Sequence, residues 1–119
     1  MNLLVWGVDL VEEQLLCNAG IPSRPPAAAQ PLAHVAEFSV NAMRSGTLRD
    51  LEVLQKFDGA EGVLYARALV EPGAKVVCAS DGLPTWVCEL MVAKPTVDEA
   101  IAFVKGIEAE IQGALAIEP

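Results

Sequence analysis

The sequence is short of most of what marks a catalytic or nucleic-acid-binding protein. There is one histidine, His34, in 119 residues. A His-based acid–base relay or a His-rich metal site therefore lacks its usual material. Aromatic residues make up 5% of the chain, so any core must be built from Ala, Val, Leu and Ile. Basic residues number 8 against 16 acidic ones, a net charge of −8. That argues against binding to a nucleic-acid backbone, which needs clustered Lys and Arg. No segment stays apolar for about 18 residues, so no membrane span is expected. Gly-x-Ser-x-Gly is absent, and Gly59-Ala60-Glu61-Gly62 has neither the Lys nor the following helix of a phosphate-binding loop. The three cysteines, Cys17, Cys78 and Cys88, stand at no metal-ligand spacing. An odd count reads as reduced thiols in a cytoplasm. Met1 to Trp6 is apolar but has no basic region before it and no small-residue cleavage site before Asp9, so it does not read as a signal peptide. No metal and no cofactor is expected.

What is present is apolar surface. Hydrophobic residues make up 53% of the chain, and the mean hydropathy is +0.39. A single small domain cannot hide that much, which points to a homo-oligomer or a protein partner. The clearest element is the last helix. Thr96-Val97-Asp98-Glu99 has the spacing of a capping box. Val97, Ala100, Ile101, Val104, Ile107, Ile111 and Leu115 then recur every three or four residues and form one broad apolar face. Behind them runs a stripe of Ala102, Gly106, Ala109 and Gly113. A glycine inside an exposed helix costs roughly 1 kcal/mol relative to alanine. Two on one line mark a place where a second element can approach closely, and these four residues are candidates for an interface.

Upstream, Leu3 to Val8 suits a short buried strand, with one helix over residues 3 to 18 as the competing reading. Asp9 and Glu12 predict a helix over about residues 10 to 18, stopped near Gly20, with Val11, Leu15 and Leu16 toward the core. Pro22, Pro25, Pro26 and Pro31 make residues 21–31 an extended loop. Alternation through Ala36, Phe38, Val40 and Ala42 favours a strand over 32–43, although Pro31 also allows a helix. Thr47 opens a predicted helix whose Leu48, Leu51, Leu54 and Phe57 share a face up to Gly59.

Residues 62–92 read as a three-strand antiparallel meander, with turns at Glu71-Pro72-Gly73-Ala74 and Asp81-Gly82. Two-residue loops would set Ala68 opposite Val77 and Val76 opposite Val87. Ala66, Ala68, Cys88, Leu90 and Val92 then share an apolar face with Leu64, Val70, Val77, Ala79 and Trp86. The other face mixes Tyr65, Arg67 and Glu89 with Val63, Val76, Cys78, Val87 and Met91. Val87 and Met91 are its interface candidates. Tyr65, Arg67 and Glu89 are the polar groups able to orient a ligand, Arg67 through its planar fork. In this register Arg67 also lies beside Cys78 and would lower its pKa. His34 with Glu37 is a metal pair only if that stretch is helical, and neither Glu12-Glu13 nor Glu108 with Glu110 shares a helix face. No catalytic constellation emerges.

The expected fold is therefore a single α+β domain over residues 1–119. It has an antiparallel sheet of the meander plus one or two further strands, with helices mainly on one face. The expected function is a cytoplasmic, oligomeric or accessory protein-interaction module. The alternative is a small-molecule binder or small enzyme using the mixed sheet face.

Overall fold

In the computed structural model, which describes residues 1–119, three strands form the main antiparallel sheet. These are β1 (His34–Asn41), β3 (Val63–Ala68) and β5 (Trp86–Lys94), in the order β1-β5-β3. A smaller antiparallel sheet has β2 (Gly46–Leu48) between β4 (Lys75–Val76) and β6 (Ile117–Glu118). The helices are α1 (Asn2–Trp6), α2 (Leu10–Asn18) and α3 (Val97–Ala114), with a 3₁₀ helix at Glu52–Lys56. The chain is an α+β fold, as its sequence pattern implies.

The central strand explains the core. Cys88, Leu90 and Val92 of β5 are fully buried and share one side of the sheet with Val40 and Phe38 of β1 and Ala66 of β3. α3 lies over β1 and β5 and buries Ala100, Val104, Ile107 and Ile111 against them. Its start is the expected cap. The Thr96 hydroxyl accepts from the Glu99 backbone N–H at 3.2 Å and donates to the Glu99 carboxylate at 3.1 Å. A register shift between Val63 and Tyr65 leaves Leu64 without a strand partner. This bulge turns Val63 into the core, although Tyr65 faces the other way. Val63 is thus not on the mixed face predicted from strict alternation.

The meander is corrected in its middle. β3 pairs directly with β5, setting Ala68 opposite Cys88 rather than Val77. The segment expected between them forms only Lys75–Val76, and it pairs with β2. Its first turn is where it was expected: Ala74 N–H bonds the Glu71 carbonyl, with Gly73 at φ 87°. The second is not the expected two-residue loop at Asp81-Gly82: Asp81 N–H bonds the Cys78 carbonyl, so the chain turns around Ala79 and Ser80, residues expected in a strand. Thr85 meets Val77 rather than Cys78: its N–H donates to the Val77 carbonyl at 2.9 Å. Turn chemistry is local, but strand partnership is decided by which apolar side chains find cover.

Residues 47–57 are corrected for the same reason. Leu48 belongs to a strand, and the helical part shrinks to the 3₁₀ helix. Leu48 N–H bonds Ala74 and Arg49 N–H bonds Ala116, so backbone partners from far along the chain replace helical ones. Leu48, Leu54 and Phe57 are nonetheless all buried. Gly46 marks the tightest approach: a Cβ there would lie 2.0 Å from the Glu118 carbonyl oxygen, so β6 seats only against glycine.

The N-terminal third departs most from expectation. Leu3–Val8 is not a strand. Asn2–Trp6 is one short helix, ended by Gly7 at φ 70°, and α2 begins afresh where the Asp9 carboxylate accepts from Val11 and Glu12 N–H groups. Neither helix buries a residue. Val11 and Leu15, expected to face the core, are 70% and 63% exposed. The Pro-rich 21–31 stretch forms no regular element. The radius of gyration is accordingly 17.6 Å, against about 14 Å for a compact chain of this length. No helix is long and apolar enough to cross a membrane.

Candidate functional site

Three of the residues singled out from sequence come together on the sheet face opposite α3. Strand pairing does the positioning. Arg67 lies across from Glu89, and Tyr65 lies across from Met91. On the other flank of β5, Met91 pairs with Glu37 and Glu89 with Ser39. Side chains two apart on a strand share a face, so Tyr65 and Arg67 project beside Glu89 and Glu37.

The contacts are specific. Arg67 donates from Nε at 2.9 Å and from Nη2 at 2.6 Å, both to Oε2 of Glu89. Its guanidinium carbon lies 4.6 Å from the Tyr65 ring centroid, a cation–π contact. Hydrogen bonding from Arg67 holds the Glu89 carboxyl below the usual range. Glu37 moves the other way, raised first by its hydrogen bond to Glu89 and then by burial. The Tyr65 hydroxyl is raised by burial and by the neighbouring Glu37 charge. Two carboxyls thus stand beside one guanidinium, which contacts only Glu89, and the local charge is negative when both are ionised. Arg67 spends Nε and Nη2 on one oxygen of Glu89, and its side chain stays 63% exposed. A cation is the better match to this patch. None of the cavities of the molecule is lined by these four residues.

Glu37 was not nominated for this cluster from sequence, although the signal was there. Alternation that sends Ala36, Phe38 and Val40 inward sends Glu37 to the face of Glu89. His34 and Glu37, three apart on a strand, point to opposite faces and do not form the helical metal pair. No cluster of three or more His, Cys, Asp or Glu side chains has metal-holding geometry.

Cys78 is not beside Arg67. It sits in the turn after β4, where its N–H donates to the Ser45 hydroxyl at 3.0 Å and its sulfur lies 3.0 Å from the Ser80 hydroxyl. Ser45 in turn donates to Asp81. The Cys78 thiol is lowered by the hydroxyls of Ser45 and Ser80, not by arginine. Cys88, in the core, is pushed up to about 12 by burial.

The interface candidates divide. Ala102, Gly106, Ala109 and Gly113 are exposed on α3. A Cβ at Gly106 or Gly113 would meet nothing within 4 Å, so no element of this chain makes the close approach. Val87 is fully buried within the chain's own core, which removes it from the candidates. Met91 is buried between Tyr65 and Glu37, with 8% exposure. Compared with known proteins, the chain matches no family model and no curated protein.

Proposed function

We propose that this protein acts through protein contacts, as a homo-oligomer or accessory subunit, and not by catalysis. The observation that carries the reading is the N-terminal third. Leu3, Leu4, Trp6, Leu10, Val11 and Leu15 are all at least 40% exposed, and Val8 is the only buried residue before β1. Apolar surface on this scale, left bare by its own chain, is the mark of a surface that a neighbour covers. The simplest neighbour is a second copy. The exposed small-residue line of α3 offers a further contact. Three free cysteines fit a reducing, cytoplasmic compartment, and the net charge of −8 speaks against nucleic acid as the partner.

Sedimentation at micromolar concentration tests this. The wild type is expected to sediment well above its 12.6 kDa monomer. The triple variant Leu10→Ser, Val11→Ser, Leu15→Ser should fall to the monomer with its fold intact, because those side chains hold nothing in place within the chain. A monomeric wild type would overturn self-association.

A second reading, a ligand on the mixed face, draws on the convergence of Tyr65, Arg67, Glu89 and Glu37. It favours a cationic ligand. Its test is a ligand-dependent rise in melting temperature that Glu89→Gln removes.

A further inference from the structure

The edges of the two sheets are finished differently. In the order β1-β5-β3, both β1 and β3 are edges. β3 is closed off. Its ladder is broken by the bulge at Leu64, and its Ala66 N–H is taken by the Asp58 carboxylate at 3.4 Å. The edges of the small sheet, β4 and β6, are two residues long. β1 is eight residues long, and its pairing with β5 runs unshifted from His34 to Val40. No backbone hydrogen bond joins residues 34–41 to any segment but β5. The strand holds no proline and no lysine, and Glu37 is its one carboxylate. Such an edge offers a row of free N–H and C=O groups to another strand.

The sequence of β1 complements itself. Antiparallel partners share a face, so a two-fold axis across the strand passes through a residue and not between two. An axis at Glu37 sets two carboxylates opposite each other, which is unfavourable. An axis at Phe38 sets Val35 against Asn41. An axis at Ser39 sets Phe38 against Val40, Ala36 against Ala42 and Glu37 against Asn41. There apolar residues meet apolar ones, and the carboxylate meets an amide. The bare apolar surface of the N-terminal third also runs onto this edge. Val5 and Trp6 of α1 line one hollow with His34 and Val35 of β1 and Val97 of α3. Val97 is 51% exposed, and Ile101, one turn further along α3, is 41% exposed.

We propose that β1 pairs antiparallel with β1 of a second copy about a two-fold axis at Ser39, so that β3-β5-β1 continues into β1-β5-β3 as one sheet. The proposal rests on the self-association proposed above and gives it a geometry. The strand edge fixes direction and register, and the apolar surface beside it supplies the burial. A two-fold contact uses the same patch on both copies and closes on itself, so the product is a dimer and not a filament.

Two measurements on the full chain test it, beside sedimentation of the wild type. Hydrogen exchange of the peptide spanning residues 34–41 needs no variant. Its amides that point away from β5 should exchange about tenfold more slowly, or slower still, in the associated than in the dilute protein. Cross-linking fixes the register. In a Cys17→Ser background, which removes the exposed thiol, Ser39→Cys should form a disulfide-linked dimer on oxidation with diamide. Residues facing across the axis lie about 4.5–5.5 Å apart at Cα, within disulfide reach. Glu37→Cys should not link, because Glu37 and its copy stand four residues out of step, about 13 Å. A wild type that associates while these amides exchange at one rate overturns the β1 pairing and leaves association through the N-terminal third standing. Linking of Glu37→Cys as fast as Ser39→Cys does the same to the register. A monomeric wild type overturns both readings.

Discussion

Removing the same side chain from two places separates what this fold packs from what it leaves bare. Leu90 sits at the centre of β5, fully buried, with sheet neighbours on both sides and α3 above. Leu15 sits on α2 and is 63% exposed. Leu90→Ala deletes three carbons, a methine and its two methyl groups, from a site that cannot collapse, because its neighbours are held in a ladder from both flanks. The expected cost is about 2–5 kcal/mol, transfer and cavity together. A domain of this size holds only about 5–15 kcal/mol in all, so the melting temperature should fall by roughly 8 °C or more. Leu15→Ala removes the same atoms from a largely hydrated position and places the better helix former there. Its cost in the monomer should stay within about 0.5 kcal/mol. Urea denaturation followed by far-ultraviolet circular dichroism, run over a range of protein concentrations, measures both. If α2 is covered by a second copy, the Leu15→Ala cost grows with concentration, since association stabilises only the folded chain. A Leu15→Ala cost above about 2 kcal/mol at every concentration would refute the reasoning, because α2 would then be packed by its own chain.

Two further outcomes follow from the thiols and the carboxyl cluster. Cys17 is exposed and should react with a thiol reagent at once, whereas Cys88, buried and pushed up to about 12, should react only after unfolding; equal rates for the two would contradict the burial of β5. For Glu37, the folded pKa is raised, so its contribution to stability is complete below the unfolded value and fades as pH rises through the folded one. Glu89 is lowered, so its contribution is present above the unfolded value and fades as pH falls through the folded one. Glu37→Gln should therefore gain on the wild type as pH rises from about 4 to 7, by a few tenths of a kcal/mol, the scale of a screened cross-strand charge. Carboxyl NMR titration should place Glu37 above Glu89, and a stability difference that does not change with pH would count against their pairing.

How far the candidate site could be read in advance depended on how local each signal was. Tyr65, Arg67 and Glu89 were legible because alternation on a strand is a property of each strand alone. Their meeting survived an error in the strand order. Arg67 reaches Glu89 across a direct β3–β5 pairing that the meander had interrupted with another strand. Glu37 was missed because its neighbour in space lies on a strand some fifty residues away. The groove between the 3₁₀ helix and α3 had no sequence signal: Phe57 and Phe103 come from separate elements, and only packing sets them facing one gap.

By itself, the sequence determined the pieces whose causes are local. The Thr96 cap and the apolar face of α3 are written in four- and three-residue spacing. The Asp9 cap of α2 and the turn at Gly73 are written in residues that satisfy or free the adjacent backbone. Tertiary structure alone decided partnership. It sent Lys75–Val76 to β2, turned Leu48 from helix to strand, bent β3 at Leu64 and left α1 and α2 without cover. The physical reason is one of range. Caps and turns are settled by atoms a few residues apart, whereas a strand joins whichever edge offers both backbone partners and apolar shelter. That balance is summed over the whole chain.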